Sequence, residues 1–338
     1  MTAQVTHESA HPDQTSPTPS TPSGRFSVSR LTLTQPVIVW LLVLLLIPLS
    51  RLFSSNFPSW TLVTNVLILA TFLVLVSFGQ GLVILSGGID LSVPSTIAIA
   101  AFFTGYFTGT GIPSGLAAIA AVAVASVCGL VNGLIVSRST FPPFIVTLAV
   151  STIAAALLLG FSAGSPGQTA PSFLISLFNN GSFLGLKPAA YLFIVAVLLG
   201  MWVQYRTRLG RRTYAIGNST IAARISGVKV STTQVVVYWV ASLFYAIAGV
   251  LLMGYGSGSD LNIGSTWLLP SIAAVVIGGS SIAGGAGRFG GTVGAAVLLT
   301  IVSIDISAIG WSEGLKQVLY GLVIVVALLL NRLGRRLA

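Results

Sequence analysis

Charge is what this chain lacks. Of its 338 residues, 7% are Asp, Glu, Lys or Arg and 54% are hydrophobic. Soluble globular domains carry about 25% charged residues. A surface so poor in charge cannot face water, and the bilayer is the solvent that suits it. Histidine is almost missing too: His7 and His11 both lie in a polar N-terminal stretch, where a solvated tail is the reading preferred over a metal site. The apolar remainder has no clustered carboxylates and no nucleophile beside a base, which excludes a membrane enzyme. The single cysteine, Cys128, sits in an apolar run and offers neither an intrachain disulfide nor a metal cluster. No G-x-x-x-x-G-K-S/T phosphate loop occurs. The net charge of +10 comes without a basic-aromatic patch on a soluble domain, so nucleic acid is not a partner.

What remains is organised simply. Residues 1–30 form a cytoplasmic Ser/Thr/Pro-rich tail: thirteen of the first 24 residues are of those three types. Such a segment buries too little to offset its ordering entropy and is expected to be disordered. Residues 31–338 form one transmembrane domain. A span needs about 20 apolar residues, and ten runs qualify: 35–51, 62–85, 94–110, 115–136, 143–162, 189–205, 234–254, 267–284, 291–309 and 315–331. The runs are continuously apolar rather than alternating, so helices are implied, not a barrel. The expected fold is an all-α polytopic bundle of about ten spans with both termini cytoplasmic. That topology puts thirteen Lys and Arg residues on the inner side and three (Arg51, Lys187, Lys316) on the outer side, a strong positive-inside bias. Between the fifth and sixth runs, Phe173 to Phe178 is too short to span and reads as an interfacial or re-entrant helix.

Four stretches stand out from the apolar background. In 85–94, Gly87 and Gly88 break a helix and Asp90 follows. Asp90 either caps the helix starting near Ser92 or lines a polar transport path. Pro142 and Pro143 open the fifth run, where proline loses no backbone donor, and Thr147 four residues on has a hydroxyl to offer a solute. The basic stretch 206–229 contains a short helix over 220–226. Asn218 or Ser219 serves as its N-cap and Gly227 as its left-handed terminus. It is either an amphipathic helix on lipid headgroups or a docking helix for a cytoplasmic partner. The last stretch holds Gly278, Gly279 and a cluster of glycines out to Gly294. Helix packing explains most of them, but not their concentration at one end of two consecutive runs.

Taken together, GGIDLSV at 87–93, PPFIVTL at 142–148, YAIGN…AARISGV at 214–228 and VVIGGSSIAGGAG at 275–287 resemble, in order, the ribose-type and branched-chain-type ABC permease superfamily, nearest its sugar branch. The likeness runs from about residue 35 to 332. Pro94, Ala149 and Ser219 depart from it, where the family often has Gly, Gly and Asn. The resemblance implies a permease subunit in the cytoplasmic membrane of a prokaryote, paired with an identical or paralogous copy. A cytoplasmic ABC ATPase binding ATP-Mg would power it, and an extracytoplasmic solute-binding protein would deliver a sugar-like substrate. The chain needs no cofactor of its own. The resemblance assigns ATPase coupling to Asn218, Ala222, Ala223, Arg224, Ser226 and Gly227, and a pathway role to Asp90 and Thr147. The alternatives are an ion-gradient-driven secondary transporter, with Asp90 and Asp305 the available intramembrane acids, or an ABC permease for a nucleoside or amino acid.

Overall fold

The computed structural model describes residues 29–52, 59–165 and 168–337. Most of the N-terminal tail, with both histidines, lies outside the described residues. Thirteen α-helices follow in chain order among those described: α1 Ser29–Leu49, α2 Trp60–Leu85, α3 Val93–Gly109, α4 Ser114–Val136, α5 Pro143–Phe161, α6 Ser172–Asn179, α7 Leu192–Met201, α8 Arg208–Asn218, α9 Thr220–Ile225, α10 Val230–Gly256, α11 Leu268–Ile277, α12 Phe289–Ala308 and α13 Glu313–Leu337. Short 3-10 turns precede α7 and α11, and a π turn, Trp202–Arg206, continues α7. Two isolated bridges, Thr169 with Gly258 and Phe183 with Leu186, are the β character among the described residues.

Each of the ten apolar runs contains one helix. Among the described residues, six helical segments are long and apolar enough to cross a membrane: α2, α4, α5, residues 188–206 with α7 at their centre, α10 and α12. Gln35–Leu49, Val93–Gly109 and Ser265–Ile277 are apolar but shorter. The largest departure from the sequence expectation is α11. It stops at Ile277 instead of continuing to 284, because Gly278 packs on the backbone of Gly291 and Thr292 and Gly279 turns left-handed, at φ +95°. The short apolar piece at 173–178 is helical, as α6. It packs Leu174 and Phe178 onto the bundle, Phe178 meeting the rings of Phe72 and Tyr255.

Burial explains the arrangement. Helix α2 is apolar on every side, and 83% of its most apolar window is buried, as expected of a helix at the centre of a bundle. Helix α5 is as apolar, yet only 22% of its window is buried. Its Ile153, Leu157 and Leu159 point outward, away from the bundle. The tightest seam joins α4 to α10. A Cβ at Gly129 would collide with Ser242 and the Tyr238 carbonyl, and one at Gly133 with the Val235 backbone. Small residues let two helix backbones approach and gain dispersion where lipid supplies no hydrophobic drive. The Ser242 hydroxyl, 3.1 Å from the Ser126 carbonyl, adds a polar contact across the seam.

Candidate functional site

The features singled out in the sequence converge at one end of the bundle. Helix α2 ends there at Leu85, α4 at Val136, α11 at Ile277, and α10 and α12 begin there. The Ser231 hydroxyl reaches the Ser137 carbonyl at 3.3 Å, and the Gly285 N–H donates to the Leu85 carbonyl at 3.0 Å. Arg138, Arg206, Arg208, Arg211, Arg212, Arg224, Lys229 and Arg288 belong to the segments at this end. Asp90 is the one acid in them, and it is fully buried.

Helices α8 and α9 lie across this end. Thr207 caps α8, accepting from the Gly210 N–H, and Ser219 caps α9, its hydroxyl accepting from the Ala222 N–H at 3.2 Å. Gly227, at φ +81°, ends the short helix in the left-handed region, which suits glycine. Ala223 is 4% exposed and packs with Ile216 and Val230, so it turns inward and seats α9 on the bundle. The outward face carries Ala222, Arg224 and two isoleucines one turn apart, Ile221 at 75% and Ile225 at 83% exposed. Ser226 and Gly227 are exposed beside them. The sequence reading stressed the small residues and missed these two isoleucines. Their i, i+4 spacing in an otherwise polar, basic stretch was the available signal.

Asn218 has a different task from the exposed face. Its amide donates to the Tyr214 carbonyl at 2.9 Å and to the Gly285 carbonyl at 3.1 Å. Tyr214 makes a second tie: its hydroxyl donates to the Gly287 carbonyl at 2.6 Å and accepts from Gln204 Nε2 at 2.6 Å. Burial pushes the Tyr214 hydroxyl above its ordinary range, so it stays protonated as a donor. A Cβ at Gly217 would collide with the Leu85 carbonyl and Gly285. The end of α8 is therefore fastened to the glycine-rich turn between α11 and α12 and, through it, to the end of α2. This contact supplies the reason for the glycine cluster that helix packing left open.

The GGIDLSV loop sits directly behind. Asp90 is wholly buried. Its Oδ1 accepts from the Ser92 N–H at 2.8 Å and from the Ser92 hydroxyl at 2.6 Å, while Oδ2 has no protein partner. Ser92 in turn accepts from Asn132 Nδ2 of α4 at 2.8 Å. Thr147, also wholly buried, accepts from the Leu91 N–H at 3.0 Å and lies 3.2 Å from the Ile89 carbonyl. Asp90 thus fixes the residue before α3, and Thr147 pins the same loop to α5. Gly87 adopts φ +89°, and a Cβ at Gly88 would strike the Tyr238 hydroxyl. Asp305 lies at the opposite end, where it accepts from the Ser50 hydroxyl at 2.6 Å and ties α12 to the end of α1.

Known proteins share this pattern. The family model for the branched-chain amino acid transport system / permease component matches residues 62–328. The ribose import permease protein of Bacillus subtilis strain 168 is 35% identical over 260 residues, covering 76% of this chain and 80% of that protein. The ribose import permease protein of Escherichia coli K12 is 31% identical over 292 residues, covering 86% of this chain and 91% of that protein. A fructose import permease protein of Rhizobium meliloti is 32% identical over 311 residues, covering 90% and 86%. The matched region takes in the GGIDLSV loop, the α8–α9 segment and the glycine-rich turn, and with it the chain belongs to the family of branched-chain amino acid transport system permease components, multi-pass proteins of the bacterial inner membrane.

Proposed function

We propose that this permease is the translocation subunit of an ABC importer for a monosaccharide or a sugar-like solute, driven by a separate ATPase that grips α9. The exposed Ile221–Ile225 pair carries the reading. Two large apolar side chains on a capped helix, with Arg224 exposed beside them, form the small apolar centre and charged rim of a docking surface. The similarity to ribose and fructose import permeases supports the sugar class. ATP and Mg belong to the ATPase partner, and an extracytoplasmic binding protein delivers the solute. All ten apolar runs cross the membrane, the short α11 finishing its crossing through the turn at 278–288. The basic end carrying α9 faces the cytoplasm, in keeping with positive-inside topology. A second permease copy, identical or paralogous, completes the path.

Movement of the ATPase displaces α9, and α8 passes it to the glycine-rich turn through Asn218 and Tyr214. The turn holds the end of α2 through Leu85, and the adjoining Asp90–Thr147 loop shifts with it. Asp90 and Thr147 are buried in this state, so their part in transport lies in releasing and resealing the inner end of the path. Alternating access then follows as a shift between two populations. The test is uptake of labelled D-ribose, D-fructose and D-xylose by vesicles holding permease, ATPase and binding protein. ATP-dependent accumulation of one of them is expected. Accumulation driven by a proton or sodium gradient without ATP would sink the proposal.

A further inference from the structure

The end of the bundle remote from α9 holds a cavity of about 530 Å³ between the outer halves of α2, α12 and α13 and the start of α11. Along α12 it runs from Leu299 to Ser307, about 12 Å at helical rise. Such a volume falls within the range of small-ligand sites. Its wall combines aromatic rings, hydroxyls and one ion pair. Trp267 is held edge-on against Phe72, at 86° between planes, so its orientation is set before any ligand arrives. Thr266 contributes a hydroxyl, and the Thr300 hydroxyl, which donates to the Ala296 carbonyl at 2.8 Å, keeps an acceptor. Lys316 lines the cavity although it is only 8% exposed, and among the described residues its ammonium pairs with Glu313 Oε2 at 2.8 Å.

An ammonium has three donors. Among the described residues Glu313 takes one of those on Lys316, and the other two are left for whatever fills the cavity. A ligand rich in hydroxyl oxygens can accept from them in place of water. Lys316 and Glu313 neutralise one another, so the cavity offers no free charge to an amino acid's carboxylate or ammonium, and binding a zwitterion there would mean splitting the pair. We infer that this cavity is a solute site that takes one neutral polyhydroxylated molecule of monosaccharide size on the receiving side of the permease, with Lys316 donating to its hydroxyls. The inference rests on the function proposed above and assigns it a place within the chain.

The experiment is equilibrium binding of labelled D-ribose, D-fructose and D-xylose to the permease–ATPase complex in nanodiscs, without binding protein and with L-leucine as competitor. Alongside it, KM and kcat are read for ATP-driven uptake in the complete system. Saturable binding of one of the three sugars is expected, undisturbed by leucine. Lys316→Met should weaken it about tenfold or more, the loss of a hydrogen bond to a charged donor, and raise KM more than it lowers kcat. Thr266→Val, which keeps the side-chain volume, should weaken binding in the same direction, and it serves if Lys316→Met does not fold. Binding of none of the three sugars, binding displaced by leucine, or binding that both variants retain overturns the inference. If ATP-driven sugar uptake persists in any of those cases, the transport reading stands and the cavity alone is lost. If wild-type vesicles take up no sugar with ATP, the transport reading falls, and the binding arm still decides the cavity.

Discussion

Replacing Ile225 with alanine should cut the permease's affinity for its ATPase about 30-fold while leaving α9 folded. The substitution removes three carbons, each worth about 0.8 kcal/mol when buried. In the free chain Ile225 is 83% exposed, so nearly all of that contribution becomes available only on docking, about 2 kcal/mol, or roughly 30-fold in affinity. Ile221, at 75% exposed, carries nearly as much, and the double variant should lose close to a thousandfold if the two contribute independently. Helix α9 itself is safe. Alanine is the better helix former, and the Ser219 cap and the inward-facing Ala223 are untouched. The assay is titration of detergent-solubilised permease with purified ATPase, followed by ATP-driven uptake in vesicles. Arg224→Ala is the contrast: as a rim charge it should alter the association rate and its salt dependence more than the affinity. If Ile225→Ala and the double variant both bind the ATPase within about twofold of the parent, α9 is not the docking helix and the reasoning fails.

Further consequences concern the interior. Gly217→Ala drives a methyl into the Leu85 carbonyl and Gly285; it should lower the melting temperature and, in protein that still folds, leave ATPase binding intact but uptake impaired. Tyr214→Phe strands the Gly287 carbonyl and Gln204 Nε2, about 1–3 kcal/mol for partners that stay dry. It should uncouple ATP hydrolysis from uptake, and a variant with wild-type coupling would show that this tie transmits nothing. Asp90→Asn keeps an acceptor for the Ser92 N–H and should yield folded protein with slowed transport, whereas Asp90→Ala leaves that N–H unpaired and should lower the melting temperature. Equal loss of folded protein in both would confine Asp90 to a structural part. Gly129→Leu should abolish folded protein, because the α4–α10 seam has no room for a side chain; a normal yield would contradict the close approach of the two backbones.

The helices were legible because bilayer imposes long apolar runs, and each run contains a helix. The short helix at 220–225 was legible from its cap and its glycine terminus. What the pattern did not carry was direction. Ala222 and Ala223 look alike in sequence, yet one faces out and the other is packed on Ile216 and Val230. The rotation of so short a helix is set by tertiary contacts, not by its own periodicity. The end of α11 was misread for a related reason: residues 278–284 are small and mildly apolar, which suits both a helix and a turn, and the choice is made by Gly291 and Thr292 on another helix. Asp90 and Thr147 stood out in the sequence as polar residues among apolar ones, but the loop they both hold is completed by Ser92 and Asn132, polar residues too ordinary to attract attention.

The seam between α4 and α10 also limits how this protein can open. Two backbones that nearly touch at Gly129 and Gly133 cannot slide apart without leaving a gap along their length, and α2 and α3 lie against the same helix, α10. These four make a stiff chassis. Helix α5 leans mainly on α3 and α4 and is tied to that frame through Thr147 on the GGIDLSV loop and Ser151 on Ser95, so a movement of α5 drags the loop with it while the four-helix frame keeps its shape.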